Sequence, residues 1–174
     1  MVSVETERGD QVMSENGIRF AEPEDQVLVT LDPGKTTGYS IWEGTTLTEA
    51  GGLHKMEEVV KFFHRLPAFG VTVVYEGFAR ANASTGDQLA PIEICGAIQA
   101  MCIHYGHVCE KQYPSVRKGY IEYAKEEVKA VNVPTNEKVH AIDAIAHALR
   151  YRHKVLKNWS PHEYRAKHGG EKNA

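Results

Sequence analysis

Three acidic residues in this chain stand where an acid is expensive. Asp32 closes the apolar run VLVTL at the start of LDPGKTTGYSIW, and Glu76 closes a second one, VTVVYE. Asp143 lies in VHAIDAIAHAL, where Ile142, Ile145, Ala146 and Leu149 form an apolar helical face and His140, Asp143 and His147 fall together beside it. Buried or half-buried carboxylates cost free energy unless something pairs with them. Carboxylate oxygens with one imidazole suit Mg²⁺ or Mn²⁺, and two such ions a few ångströms apart can activate water and stabilise the leaving oxygen of a phosphodiester. Taken singly, each residue also has a plain structural reading: Asp32 before Pro33-Gly34 could open a turn, and His147 could be a helix-flank histidine. The set together points to a metal site.

The elements that must position these residues follow from periodicity and punctuation. Strand patterns cover residues 27–32, 38–43 and about 46–54, joined by short turns, so an antiparallel meander is expected. MEEVVKFFHRL has helical spacing over 56–66 and is stopped by Pro67 and Gly70. Residues 71–76 form a short β-branched run of the kind found in central strands. The polar loop GFARANASTG follows, then a long apolar helix over 87–105 with Pro91 in its first turn, then a strand over 107–112. Pro114 begins a helical or turn region, and Pro134-Thr135-Asn136 opens a last helix reaching about Lys154. A strand meander followed by βαβ crossovers predicts an α/β fold with helices on both faces of a mixed five-stranded sheet, the ribonuclease-H-like architecture. In that topology the strands ending in Asp32 and Glu76 are neighbours.

At 174 residues with 42% hydrophobic content, the chain makes one domain with a sizeable core. Residues 1–26 hold seven acids against two arginines and show no apolar period, which predicts a flexible acidic segment before a ribonuclease-H-like domain over 27–155. Residues 156–174 read as a basic tail. No run of eighteen apolar residues and no export signal is present, so a cytoplasmic protein with no membrane partner is expected. Cys95, Cys102 and Cys109 form no C-x-x-C pair and read as buried free thiols rather than a disulfide framework or zinc site.

In order and approximate spacing, LDPGKTTGYSIW, VVYEGFARANAS and HAIDAIAHAL resemble the three acidic motifs of the RuvC family of Holliday junction resolvases, over about residues 27–153. The resemblance implies a ribonuclease-H-like fold, a homodimer, and Mg²⁺-dependent symmetrical nicking of four-way DNA junctions, with two ions per site and Mn²⁺ as a substitute. It matches Asp32 to the first-strand aspartate, Glu76 to the second acid and Asp143 to the last-helix aspartate. His140 falls where many members have aspartate and some have histidine. Phe78 resembles the family's aromatic wedge, in a loop one residue shorter than in common bacterial members. The acidic leader, the histidine-rich basic end and the divergent middle are similar to a phage-type relative, which would act in the host cytoplasm and bring flapped or otherwise branched DNA into range.

The DNA side is also legible in the residues. Lys111, Arg117 and Lys118 cluster around YPSVRKGY and suit phosphate contacts, with Lys35 and Thr36 as further candidates beside Asp32. Arg80 beside Phe78 places a basic and an aromatic group on one loop, a pairing suited to unstacked bases. Among rival readings, a P-loop is excluded because Val29 occupies the position of its first glycine. An actin-like ATPase needs two such lobes to enclose its nucleotide. A ribosomal-RNA-precursor nuclease of the same fold and a non-catalytic junction-binding protein remain as alternatives.

Overall fold

The protein is described here by a computed structural model covering residues 26–77 and 89–168. Five strands form one mixed sheet in the order β3-β2-β1-β4-β5. The meander is β1 (Val27–Asp32), β2 (Thr37–Glu43) and β3 (Thr46–Leu53), and β4 (Val71–Glu76) and β5 (Val108–Gln112) extend it from β1 as parallel strands. The helices are α1 (Met56–His64), α2 (Leu89–Tyr105), α3 (Ile121–Glu127), α4 (Lys138–Tyr151) and α5 (Pro161–His168), with a 3₁₀ segment over Pro114–Tyr120. Among the described residues no helix is long and apolar enough to cross a membrane.

Strand alternation divides the core into two layers. Val29, Leu31, Val73 and Tyr75 pack against Val59, Phe62 and Phe63 of α1 and Ile94, Ile98 and Cys102 of α2. Leu28, Trp42 and Val74 face the other way, onto Ala141, Ile145 and Leu149 of α4 and Ala124 of α3. By the same alternation, Asp32 continues the row of Leu28 and Thr30, and Glu76 continues the row of Val74. Both acids are thereby directed to the side covered by α4.

Two local features set where α4 lies. A Cβ on Gly38 would stand 2.0 Å from the carbonyl oxygen of His140, so the missing side chain lets the first turn of α4 rest on β2, directly opposite Asp32 in the β1–β2 register. One turn further along, the buried Thr30 hydroxyl donates to the Ala144 carbonyl at 2.7 Å and lies 2.6 Å from Ser40 Oγ, which also receives the Trp42 indole N–H at 3.0 Å. A buried polar chain that is fully satisfied in this way fixes one placement of helix on sheet.

Several boundaries differ from the sequence reading. α4 ends at Tyr151, and the chain continues as a π-helical turn over Arg152–Leu156 closed by Lys157 at φ 57°. Trp159 is buried against Tyr120 and Tyr123, and Tyr164 of α5 packs on the same cluster. Packing therefore runs past the boundary expected at 155, because the aromatic residues interspersed among the bases have a groove to fill. None of the three cysteines is in a disulfide; Cys102 is buried and Cys95 half-buried, but Cys109 is exposed, since β5 is an edge strand. The segment over 1–25 lies outside the described residues.

His107, between α2 and β5, carries a pH dependence. It stacks between Phe63 and Tyr105 with both ring nitrogens buried and without hydrogen-bond partners, and burial holds its pKa below the usual histidine value. With the folded value depressed, the protein keeps its full stability above the unfolded value of about 6.5 and loses some as pH falls through the folded value. His107→Leu is expected to flatten this acid limb. Denaturant unfolding from about pH 7 to about pH 5 checks it: a parallel decline in both proteins would show that another group is responsible.

Candidate active site

The parallel pairing of β1 and β4, with Leu31 opposite Tyr75, sets Asp32 and Glu76 side by side at the carboxyl ends of adjacent strands. In open α/β sheets that end is where ligands bind. From α4, His147 brings Nε2 to 2.7 Å from Glu76 Oε2. One ligand atom from each of Asp32, Glu76 and His147 can be chosen so that all lie within 4.8 Å of one another, among the described residues.

Arg117 enters this group from the 3₁₀ segment after β5. Its guanidinium lies 3.4 Å from Asp32 and 3.3 Å from Asp143 and also pairs with Glu76. The three carboxylates are only 13–21% exposed and Arg117 27%. Three elements thus aim acids at one point, and the chain itself supplies a cation there. Two carboxylates and an imidazole nitrogen also form a donor set that a divalent ion accepts. The residues fit a metal.

The electrostatics carry the same signature. Burial pushes the Asp32 carboxyl up to about 7, assisted by the charges of Glu76 and Asp143 and opposed by Arg117. Burial also pushes Glu76 upward, but His147 and Arg117 outweigh it and leave Glu76 below the usual carboxylate range. Crowded acids of which one resists ionisation are the usual result of bringing like charges into a site with too few counter-charges.

The other residues singled out in the sequence are dispersed around this centre. His140 is half-buried on the first turn of α4 and lies outside the group formed by Asp32, Glu76 and His147. The stem of Lys111 crosses Gly77, where a Cβ would meet Lys111 Cε at 1.8 Å, so the end of β4 has no side chain to obstruct it. Lys118 and Lys35 are exposed. Thr36 Oγ1 is 3.4 Å from His54 Nδ1, and His54 Nε2 is 3.3 Å from Glu137, tying the turn after β1 to the start of α4. Phe78 and Arg80 lie outside the described residues.

Sequence reasoning missed Gln112. It ends β5 directly opposite Glu76, and its carboxamide meets His147 Nδ1 at 2.9 Å. The usable signal was register: aligning the ends of VTVVYE and VCEKQ as parallel neighbours puts Glu76 and Gln112 on one face.

No protein-family model matches the chain, and no curated protein matches it. Solved structures do. RuvC of Thermus thermophilus in complex with a Holliday junction substrate is similar with a TM-score of 0.51 and 20% identity, over 76% of this chain and 97% of that one. A second Thermus thermophilus RuvC structure has a TM-score of 0.48 and 18% identity, over 83% of this chain and 97% of that one. At 20% identity the first likeness is one of fold: the mixed five-stranded sheet with its helices is the ribonuclease-H-like architecture expected from the element order.

Proposed function

We propose that this protein is a metal-dependent, structure-selective endodeoxyribonuclease that nicks four-way DNA junctions and other branched DNA. The observation that carries the reading is the convergence of Asp32, Glu76 and Asp143, from β1, β4 and α4, on one cation-holding point. The likeness in fold to a RuvC whose structure holds a Holliday junction supports it.

Asp32, Glu76 and Asp143 would hold two Mg²⁺ ions, with His140 completing the set from the start of α4 and Mn²⁺ able to substitute. When bound, such ions supply an activated water and neutralise charge on the phosphodiester. The chain's own part is to hold the ions and position the strand. Arg117 and Lys111 flank the acids and contact backbone phosphates, while Lys118, Lys35 and Thr36 extend the contact surface. Phe78 and Arg80, which follow Glu76 in the sequence, would unstack bases at the junction centre. The decisive assay compares labelled four-way junctions, flaps, duplex and RNA, each with and without Mg²⁺ or Mn²⁺. Paired nicks on junction DNA only with metal are expected; cleavage of RNA alone would favour the ribosomal-RNA-precursor reading.

A homodimer is part of the proposal, since a junction is cut on two symmetry-related strands. The outward face of α2 supports this: Leu89, Ile92 and Ile103 are 59%, 38% and 82% exposed at helical spacing, with Gly96 and Ala100 between them allowing close approach. Such a stripe on one helix is suited to a second copy of the same helix. Ile103→Glu is expected to convert a dimer into a monomer by light scattering, with the fold intact by circular dichroism. An unchanged mass would remove α2 from the interface.

A further inference from the structure

We propose that Gln112 is a positioning residue that makes His147 a metal ligand: it holds the neutral imidazole so that Nε2 presents a lone pair to the ion shared with Asp32 and Glu76, and this nitrogen biases the site toward Mn²⁺ over Mg²⁺. The inference rests on the metal-binding part of the reading above and is independent of nicking.

Gln112 meets His147 twice. Its carboxamide Nε2 donates to the His147 carbonyl at 3.4 Å, which turns Oε1 toward His147 Nδ1 at 2.9 Å. A carboxamide oxygen only accepts, so Nδ1 carries the hydrogen. A neutral imidazole has one N–H, and its second nitrogen, Nε2, is left with a lone pair 2.7 Å from Glu76 Oε2. Two lone pairs do not approach to that distance unbridged. A proton or a metal ion must lie between them, and Asp32 is already within reach of the same point.

Packing alone does not account for the histidine. His147 is fully buried, as are Ala144, Ala146, Ala148 and Leu149 on the same helix, and an apolar side chain in its place would carry no desolvation cost. Ligating histidines characteristically donate their other ring N–H to a fixed acceptor, which sets tautomer and ring orientation. Gln112 is that acceptor here, held in register with Glu76 by the β4–β5 pairing. Mg²⁺ prefers an all-oxygen shell, whereas first-row transition ions accept imidazole, so a nitrogen in this shell favours Mn²⁺.

The test uses the full chain loaded with Mn²⁺, read by pulsed electron paramagnetic resonance for ¹⁴N coupling and by calorimetry for Mn²⁺ and Mg²⁺ affinity. The native protein should show ¹⁴N coupling; His140→Ala, which leaves His147 as the imidazole at the site, should retain it, and the double variant His140→Ala/His147→Leu should lose it. Gln112→Leu should weaken Mn²⁺ binding about 10- to 100-fold, the range of outer-sphere ligand partners, and Mg²⁺ binding less. Gln112→Glu, whose carboxylate accepts the same Nδ1 hydrogen, should restore Mn²⁺ affinity. Mn²⁺ bound without ¹⁴N coupling in the native protein overturns the inference, as does loss of coupling in a folded His140→Ala or its persistence in the folded double variant. Undiminished Mn²⁺ affinity in Gln112→Leu overturns it too, and that variant, on an edge strand, serves should the double variant not fold. Nitrogen coupling without nicking sinks the nuclease reading and leaves this one standing; nicking without nitrogen coupling does the reverse.

Discussion

Asp32→Asn is expected to end nicking and, in the same metal-free protein at about pH 8, to raise the melting temperature. On the proposed function the first effect follows from removing a carboxylate that would hold the metal directly, whose loss should exceed the roughly 10- to 100-fold typical of groups that only orient ligands. The second follows from the pKa. Burial, then the neighbouring charges of Glu76 and Asp143, lift the Asp32 carboxyl to about 7, against about 3.9 in an unfolded chain. A value raised on folding contributes stability that is fully present below about pH 4 and is lost as pH rises through about 7. Above that, the folded protein carries a charge its surroundings hold poorly, and asparagine cannot acquire it. The gain should be on the order of 1 to 3 kcal/mol at about pH 8, less than the full shift implies because neighbouring groups relax, and should vanish near pH 4. Thermal melts in chelator across that range measure it. A variant no more stable than the native protein at the alkaline end would show that the acids are not crowded against one another. A more stable but inactive protein is the pattern of a site built for a ligand rather than for packing.

Arg117→Met should give the complementary result, a metal-free protein that is less stable and more dependent on divalent ions. The guanidinium bridges Asp32, Glu76 and Asp143, and removing one partner of a buried ion pair costs about 3 to 5 kcal/mol. Arg117 remains 27% exposed, so solvent screening lowers the expected loss to on the order of 1 to 3 kcal/mol. Saturating Mn²⁺ or Mg²⁺ should recover most of it, since an ion at about 100 times its Kd stabilises by about 2.7 kcal/mol. The native protein should gain less, because an entering ion must displace the guanidinium from the carboxylates. Melting temperatures with and without ions test the difference. Equal metal-induced shifts in the two proteins would mean that Arg117 and the ion do not compete.

The layered fold was legible because its signals are local. The β-branched runs ending in Asp32 and Glu76, the 3.6-residue period of the helices and the Pro and Gly stops are properties of short segments, and alternation along a strand decides which side each acid faces. The acids themselves stood out for the same reason, as carboxylates at the ends of apolar runs. Phe78 and Arg80 remain sequence expectations, lying outside the described residues.

What only the tertiary structure decided is which groups meet those acids. His140 and His147 lie on the same side of α4, two turns or about 10 Å apart along its axis, so helical periodicity cannot choose between them. The choice depends on where the helix sits along the sheet, and that is set by Gly38 under the His140 carbonyl and by the Thr30 hydroxyl on Ala144. Arg117 read as a phosphate contact because its charge was evident and its position was not. The turn after β5 carries its guanidinium between carboxylates 41 and 85 residues away in sequence. Gln112 had no local mark at all and becomes a partner of His147 through the β4–β5 register. Residue type and periodicity determine which side chains can take part and which face they occupy. Register and the axial placement of a helix arise from contacts between segments distant in sequence, and those contacts determined which side chains touch.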